Sequence, residues 1–472
     1  MPSVATASDR GSPQAGTSLD AKALVERQRT YFETRVTLPL EWRREQLRAL
    51  ERAARQHETQ ILDALRADLS KSAEEAYLTE VGSIYGELKN ALKHVKAWME
   101  PRRGSAPLVI QPARAYQYAD PLGVTLIIAP WNYPYQLSIA PLIGALAAGC
   151  TAVLKPSEHA PETSRVLARM LTQAFPPEVV SVVEGAAEAS RLLLEERWDL
   201  IFFTGGTGVG RIVAQAAAKH LTPTVLELGG KSPCIIDRSA DLEVTARRIA
   251  WGKFVNAGQT CIAPDYVLIP PDLKGRFTDL VQKAVKSFYG ADARESSDYG
   301  RIINARHFER VSALAADGQV AFGGERDAAS RFFAPTVITD APLSSPLMQE
   351  EIFGPLLPLV DCASIDEAIR FVRARPKPLA LYSFAKDAAV NERVLAETSS
   401  GGAVANDVCV HFAAEGLPFG GVGDSGTGGY HGRASFDAFS HKKSVVKRPF
   451  ALDMKLRYPP YAGKLGLFQR FL

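Results

Sequence analysis

Apolar residues recur at helical spacing through residues 21–98, with Leu47, Leu50, Ile61, Leu62, Leu65 and Leu69 among the repeating positions, and predict a helical N-terminal region. From Val124 onward the pattern changes to short apolar runs alternating with amphipathic stretches. The runs at 124–129, 151–154, 179–183, 200–203 and 224–228 predict strands, and the stretches at 138–148, 161–174, 187–195 and 210–220 predict helices. A helix between successive strands requires parallel crossovers, the pattern of a doubly wound α/β sheet that binds a nucleotide. A second alternating region follows, with helices at 241–254 and 272–289 and strands at 266–269 and 334–338, and runs to about Ala405. A glycine-rich stretch at 416–432 comes next. Residues 109–118 have strand character but interrupt the first unit, so they are expected to pair elsewhere.

Composition narrows the class without naming it. The 472 residues are 46% hydrophobic and 23% charged, and 55 Lys and Arg against 52 Asp and Glu leave a net charge of +3. That balance fits a soluble protein of two or three domains. It lacks the basic excess of a dedicated nucleic-acid binder and the low apolar content of a disordered chain. Residues 1–20 read as a flexible tail rather than a targeting segment, because Asp9 and Arg10 fall where a leader needs its apolar core. Residues 121–154 carry no charge, but Pro130, Pro134 and Pro141 interrupt them, which predicts a buried strand, a loop and a buried helix rather than a membrane span. The five cysteines form no C-x-x-C pair and the eight histidines show no zinc spacing, so no metal is expected. An odd number of thiols points to a reducing, cytoplasmic setting.

Three familiar patterns mislead. Gly421, Gly423 and Gly426 satisfy G-x-G-x-x-G, but the run continues through Gly428, Gly429 and Gly432, so no helix opens there. GDSG at 423–426 has no visible base, and GGKS at 229–232 lacks the first glycine of a phosphate loop, since Val225 stands there. Polar residues set where local structure does not ask for them are more informative. Cys261 follows a turn of small and polar residues and is either a buried structural thiol or a presented nucleophile. Glu227 ends an apolar strand at the edge where such sheets bind ligands, and suits an ion pair with Lys231 or general-base work. Asn132, between prolines and aromatics, is a turn residue or a preorganised donor. The glycine-rich segment at 203–210 lies between a strand and a helix, the context that holds a phosphate.

In order along the chain stand PWNYP at 130–134, KPSE at 155–158, FTGGTGVG at 203–210, ELGGKSP at 227–233, GQTC at 258–261 and EEIFGP at 350–355. Together they resemble the aldehyde dehydrogenase superfamily over residues 25 to 460. NAGQTCIAPDY at 256–266, PFGGVGDSGTGGYHG at 418–432 and LRYPPY at 456–461 make the class 3 branch, with its fatty-aldehyde and coniferyl-aldehyde enzymes, the most similar.

The resemblance implies an α/β fold with a doubly wound Rossmann-like cofactor domain at 21–105 and 122–230. It implies an α/β catalytic domain at 231–415 and bridging, oligomerisation strands at 106–121 and 440–455. It implies oxidation of an aromatic or medium-to-long aliphatic aldehyde with NAD or NADP, NAD preferred, by a homodimer without a membrane span. Cys261 would be the nucleophile, Asn132 and the Cys261 backbone N–H the oxyanion donors, and Glu227 the base that releases the acid. Lys155 and Glu158 would contact the adenosine ribose. Thr204, Gly205, Gly206 and Val209 would lie along the pyrophosphate. Glu351 would meet the nicotinamide ribose, with Phe353 beside the ring. Tyr133, Trp251, His411 and Phe412 are candidates for the substrate tunnel. Two other activities suit the same scaffold: a CoA-acylating reductase or thiol esterase, and a non-catalytic structural relative. The carboxylate at 227 argues against the first, and the intact Cys261, Glu227 and Asn132 argue against the second.

Overall fold

The computed structural model describes residues 19–414, 416–453 and 455–471, so most of the expected tail at 1–20 lies outside the described residues. A six-stranded sheet carries the strands Val124–Ile128, Thr151–Lys155, Val180–Val182, Leu200–Thr204 and Thr224–Glu227 in parallel. Its sixth strand, Gly426–Thr427, is antiparallel to Thr224–Glu227. A parallel sheet covered by helices on both faces needs near-continuous apolar strands, and every residue of Val124–Ile128, Thr151–Lys155 and Leu200–Thr204 is buried. The charge-free stretch resolves into strand Val124–Ile128, a loop, the fully buried helix Gln136–Ala148 and strand Thr151–Lys155. Among the described residues no helix is long and apolar enough to cross a membrane.

A seven-stranded sheet forms the second α/β layer. Its order is Gln319–Phe322, Thr336–Thr339, Leu356–Asp361, Tyr266–Ile269, Pro233–Ile236, Ala380–Phe384 and Gly402–Ala405, parallel except at the first strand. A three-stranded antiparallel sheet joins Arg102–Gly104, Arg114–Pro121 and Ser440–Lys447, with Tyr118 opposite Lys443 and Gln117 opposite Ser444.

Of the boundaries that differ from the sequence reading, two shift furthest, each for a physical reason. The strand expected at 109–118 runs Arg114–Pro121 instead, after a short 3-10 turn at Leu108–Ile110. Pro107 and Pro112 have no N–H to give a ladder, so pairing starts beyond them. The helix expected at 210–220 begins a turn earlier, Thr207–Ala218. Gly210 within it serves close packing: a Cβ there would lie 2.6 Å from a methyl of Leu228. Gly421, Gly423 and Gly426 form a tight turn, as expected. Gly426 lies opposite Glu227, and a Cβ at Gly421 would lie 2.0 Å from the Ser425 carbonyl.

Candidate active site

In the six-stranded sheet the chain starts at the central strand Val124–Ile128. It moves outward through Thr151–Lys155 to Val180–Val182, then crosses to Leu200–Thr204 and Thr224–Glu227 on the other side. The crossing leaves a crevice between Val124–Ile128 and Leu200–Thr204, where doubly wound sheets hold ligands at the carboxyl ends of their strands. Four neighbouring strands deliver candidate residues to that edge. The loop after Ile128 carries Asn132, and Lys155, Thr204 and Glu227 are each the last residue of a strand.

Cys261 reaches the same place from the other layer. The helix Leu242–Phe254 ends, and Asn256, Ala257 and Gly258 follow with φ of 52°, 51° and 76°. Two consecutive non-glycine residues in the left-handed region are costly and mark a turn held by its surroundings. Gly258 is obligatory, since a Cβ would lie 2.3 Å from the Gly354 carbonyl and push away the 350–355 loop. Gln259 is fully buried; it donates to the carbonyls of Asn256 and Arg301 and accepts from Ile303 N–H. Cys261 is half-buried, whereas the other four thiols are buried, and all five are unpaired. Burial, then the nearby Glu351 and Glu227, push its thiol well above the ordinary value.

Glu227 is 2% exposed and neither carboxyl oxygen has a hydrogen-bond partner. The ion pair to Lys231 does not form, because Lys231 donates to Asp265 at 2.6 Å and to the carbonyls of Leu347 and Glu350. Burial alone raises the Glu227 carboxyl well above its ordinary 4.5. The folded chain therefore keeps this proton where the unfolded chain has released it. Stability linked to the group is full below the unfolded value and is lost as pH rises toward the folded one. Glu227→Gln removes that linkage, so its Tm should exceed wild type by a margin that widens as pH rises above the ordinary carboxyl value of 4.5. Calorimetry showing a constant margin would mean that the carboxyl is not desolvated.

Asn132 is buried, and its side-chain amide donates to the Gln259 carbonyl at 3.0 Å, leaving one N–H of the amide unassigned. Its loop is tied to the Cys261 turn again where the Tyr133 hydroxyl meets Thr260 Oγ1 at 2.6 Å. Lys71 and Glu80, which the sequence reading did not single out, hold the loop from behind.

The residues expected to hold a dinucleotide suit one. Gly206 caps the helix Thr207–Ala218, and a Cβ at Gly206 or Gly208 would meet nothing within 4 Å, so the helix N-terminus is open to an anion. Gly205 ties the edge together, its N–H donating to the Glu227 carbonyl. Val209 is 52% exposed on the first turn. Thr204 Oγ1 and Glu351 Oε1 are buried without partners. Lys155 Nζ lies 2.8 Å from Glu158, and despite partial desolvation this contact holds the Glu158 carboxyl below its ordinary range. Glu351 is pushed up to about 8 by burial and then by Asp265. A Cβ at Gly229 would lie 2.0 Å from its carboxylate. Phe353, with φ of 46°, packs edge-on to Trp131 at 5.3 Å. Among the described residues no three His, Cys, Asp or Glu are grouped to hold a metal.

A cavity of about 430 Å³ leads to Cys261, and Tyr133, Trp251 and Phe412 line it with Leu137 and Phe419. His411 does not. Its ring stacks on Phe419 at 5.6 Å, and a Cβ at Gly402 would lie 2.7 Å from it, so it supports the wall from outside. Burial lowers its pKa to about 4. His431 is on the wall instead, beside Glu87 at 3.7 Å. Its neighbours in the glycine run gave no sequence-level sign of this.

A doubly wound nucleotide-type sheet, faced at its switch point by an unpaired thiol, a buried carboxyl and a clamped amide, defines an α/β oxidoreductase. The chain belongs to the aldehyde dehydrogenase family, whose profile matches residues 3–445. It is 46% identical over 444 residues to the aldehyde dehydrogenase, dimeric NADP-preferring, of Canis lupus familiaris, covering 94% of this chain and 98% of that one. It is 47% identical over 458 residues to aldehyde dehydrogenase family 3 member H1 of Arabidopsis thaliana, covering 96% and 95%. The substrate-bound structure of Staphylococcus aureus AldH superposes with a TM-score of 0.93 at 43% identity, covering 95% of this chain and 99% of that one. The protein is thus an aldehyde-oxidising enzyme of the class 3 type.

Proposed function

We propose that the protein oxidises an aromatic or medium-to-long aliphatic aldehyde to the carboxylic acid through a thioester on Cys261. The observation that carries this is an unpartnered, buried carboxyl at Glu227 near the one incompletely buried thiol, Cys261, which lies on a largely apolar cavity. The aldehyde lies in the cavity, and the Cys261 sulfur, as thiolate, adds to its carbonyl carbon. The oxygen becomes an oxyanion, held by the Asn132 amide and the Cys261 backbone N–H. NAD(P)⁺, which the 203–210 segment and Glu351 would hold, would supply the hydride acceptor: as the oxyanion collapses back to a carbonyl, the former aldehyde C–H bond breaks, the hydride leaves and a thioester remains on Cys261. Glu227 then takes a proton from water as the water oxygen bonds to the thioester carbon. The C–S bond breaks, the acid leaves and the thiolate returns.

Both cofactors fit this reading, with NAD preferred because the Glu158 carboxylate at the ribose position repels a 2′-phosphate. A relative named as dimeric supports a homodimer, and the three-stranded sheet ending in the exposed strand Ser440–Lys447 offers it an edge. Five unpaired thiols support a reducing, cytoplasmic setting. The division into a cofactor domain at 21–105 and 122–230, a catalytic domain at 231–415 and bridging segments at 106–121 and 440–455 is supported by the three larger sheets, except that strand Arg102–Gly104 pairs in the bridging sheet and Gly426–Thr427 in the cofactor sheet. The test is reduction of NAD⁺ and of NADP⁺ across benzaldehyde, coniferyl aldehyde and aliphatic aldehydes, scored by kcat/KM. Turnover of aromatic and longer aliphatic aldehydes above acetaldehyde is expected. No turnover of any aldehyde, or stimulation by coenzyme A, would sink the proposal.

A further inference from the structure

The helix that starts at Ala73–Ala76 and continues as Gly82–Met99 is interrupted by one π-turn, Tyr77–Val81. Gly82 N–H closes that turn on the Tyr77 carbonyl, and a Cβ at Gly82 would sit 3.0 Å from the same oxygen. Such turns insert an extra residue and change which side chains face which way. Here Leu78 and Thr79 line the substrate cavity while Glu80 is wholly buried.

Glu80 pairs with Lys71 at 2.6 Å, both side chains fully buried. The pair's other hydrogen bonds run to one loop. Glu80 Oε2 accepts from Tyr135 N–H at 3.0 Å and Gln136 N–H at 3.1 Å. Lys71 Nζ donates to the Asn132 carbonyl at 3.1 Å and stands 4.0 Å over the Tyr133 ring. A second clamp meets the first at that carbonyl, where the Asn256 amide donates at 2.8 Å. Asn256 N–H in turn donates to Glu75, on the same interrupted helix. A buried ion pair adds little net stability over a well-packed apolar replacement. What this one supplies is geometry: a carboxylate holds one end of the 132–136 segment by two N–H groups and an ammonium holds the other by its carbonyl.

We propose that Lys71 and Glu80 are positioning residues for the oxyanion, fixing the backbone of Asn132 so that the free N–H of its amide is aimed where the substrate oxygen forms beside Cys261. The inference rests on the donor role of Asn132 proposed above. It is tested by Lys71→Met and Glu80→Gln, each made in the wild-type and in the Asn132→Ala background. The readouts are the first-turnover rate of NAD(P)H formation and the cofactor Kd. Loss of one oxyanion donor typically costs ~10²–10³ in rate, so a misaimed donor should lower the first-turnover rate about 10- to 100-fold with Asn132 present and less than about twofold without it. Cofactor Kd should stay unchanged. Equal losses in the two backgrounds would overturn the inference, because a general structural role is additive with Asn132→Ala. If a single variant does not fold, the paired replacement Lys71→Met with Glu80→Met removes the charges together and is read the same way; full activity in it would also overturn the inference. Asn132→Ala with a wild-type rate would instead reject the donor role itself, a separate failure.

Discussion

Cys261→Ala is expected to lose aldehyde oxidation by roughly 10⁴-fold or more, the scale on which removing a nucleophile acts, while still binding NAD(P)⁺. The size follows from what the site lacks. His411 is outside the cavity wall, and the second thiol on that wall, Cys409, is buried, donates to the Ile262 carbonyl and accepts from the Tyr382 hydroxyl, so it is not presented to an aldehyde as Cys261 is. The strained 256–258 turn, the Gly258 contact with the 350–355 loop and the buried Gln259 staple exist in one small region and end at one sulfur. The thiol is raised by burial and by two carboxylates, so the ligand-free enzyme holds it protonated. A positive charge near the sulfur, or a higher pH, favours the thiolate. Alkylation by iodoacetamide should accordingly quicken as pH rises and vanish in Cys261→Ala. Cys362→Ala, in the separate apolar cluster of the second sheet, is the control and should keep wild-type turnover. Retained turnover in Cys261→Ala would reject the thioester route.

The parts of this enzyme that local rules govern were readable from the chain alone. Parallel strands buried on both faces announce themselves as continuous apolar runs, and the alternation of strand and helix marks the parallel crossovers between them. Glu227 and Cys261 stood out because each is a reactive group where strand or turn chemistry asks for something else. Lys71 and Glu80 did not, because their burial is decided by a loop about sixty residues further along, and a lysine and a glutamate in a helical region ordinarily face water. The π-turn that turns Glu80 inward leaves no pattern of its own. His411 was placed one layer too far in: the 410–413 turn sends Phe412 to the cavity and the imidazole to the back of Phe419. Which face a short turn presents depends on what packs beneath it.

Glu227→Gln separates the two half-reactions. Its first turnover of NAD(P)H should survive, because addition of sulfur and loss of hydride do not need the carboxylate to take a proton from water. Steady-state turnover should fall by ~10²–10⁴, the usual worth of a positioned base, and the acyl group should accumulate on Cys261. Mass spectrometry of the quenched protein would show the chain heavier by the acyl group of the aldehyde supplied. The pH dependence gives the sign independently. Burial without a partner raises the Glu227 carboxyl, so at acidic pH it carries a proton and cannot act as base. Wild-type kcat should therefore climb as pH rises through the folded value and then level, while the residual rate of Glu227→Gln, which has no proton to lose there, should not follow that curve. A variant that loses the first turnover along with the steady state would assign the carboxyl to activating the thiol. In that event the amide of Asn132 and the backbone at Cys261 would be left to stabilise the second oxyanion, and water would need another base.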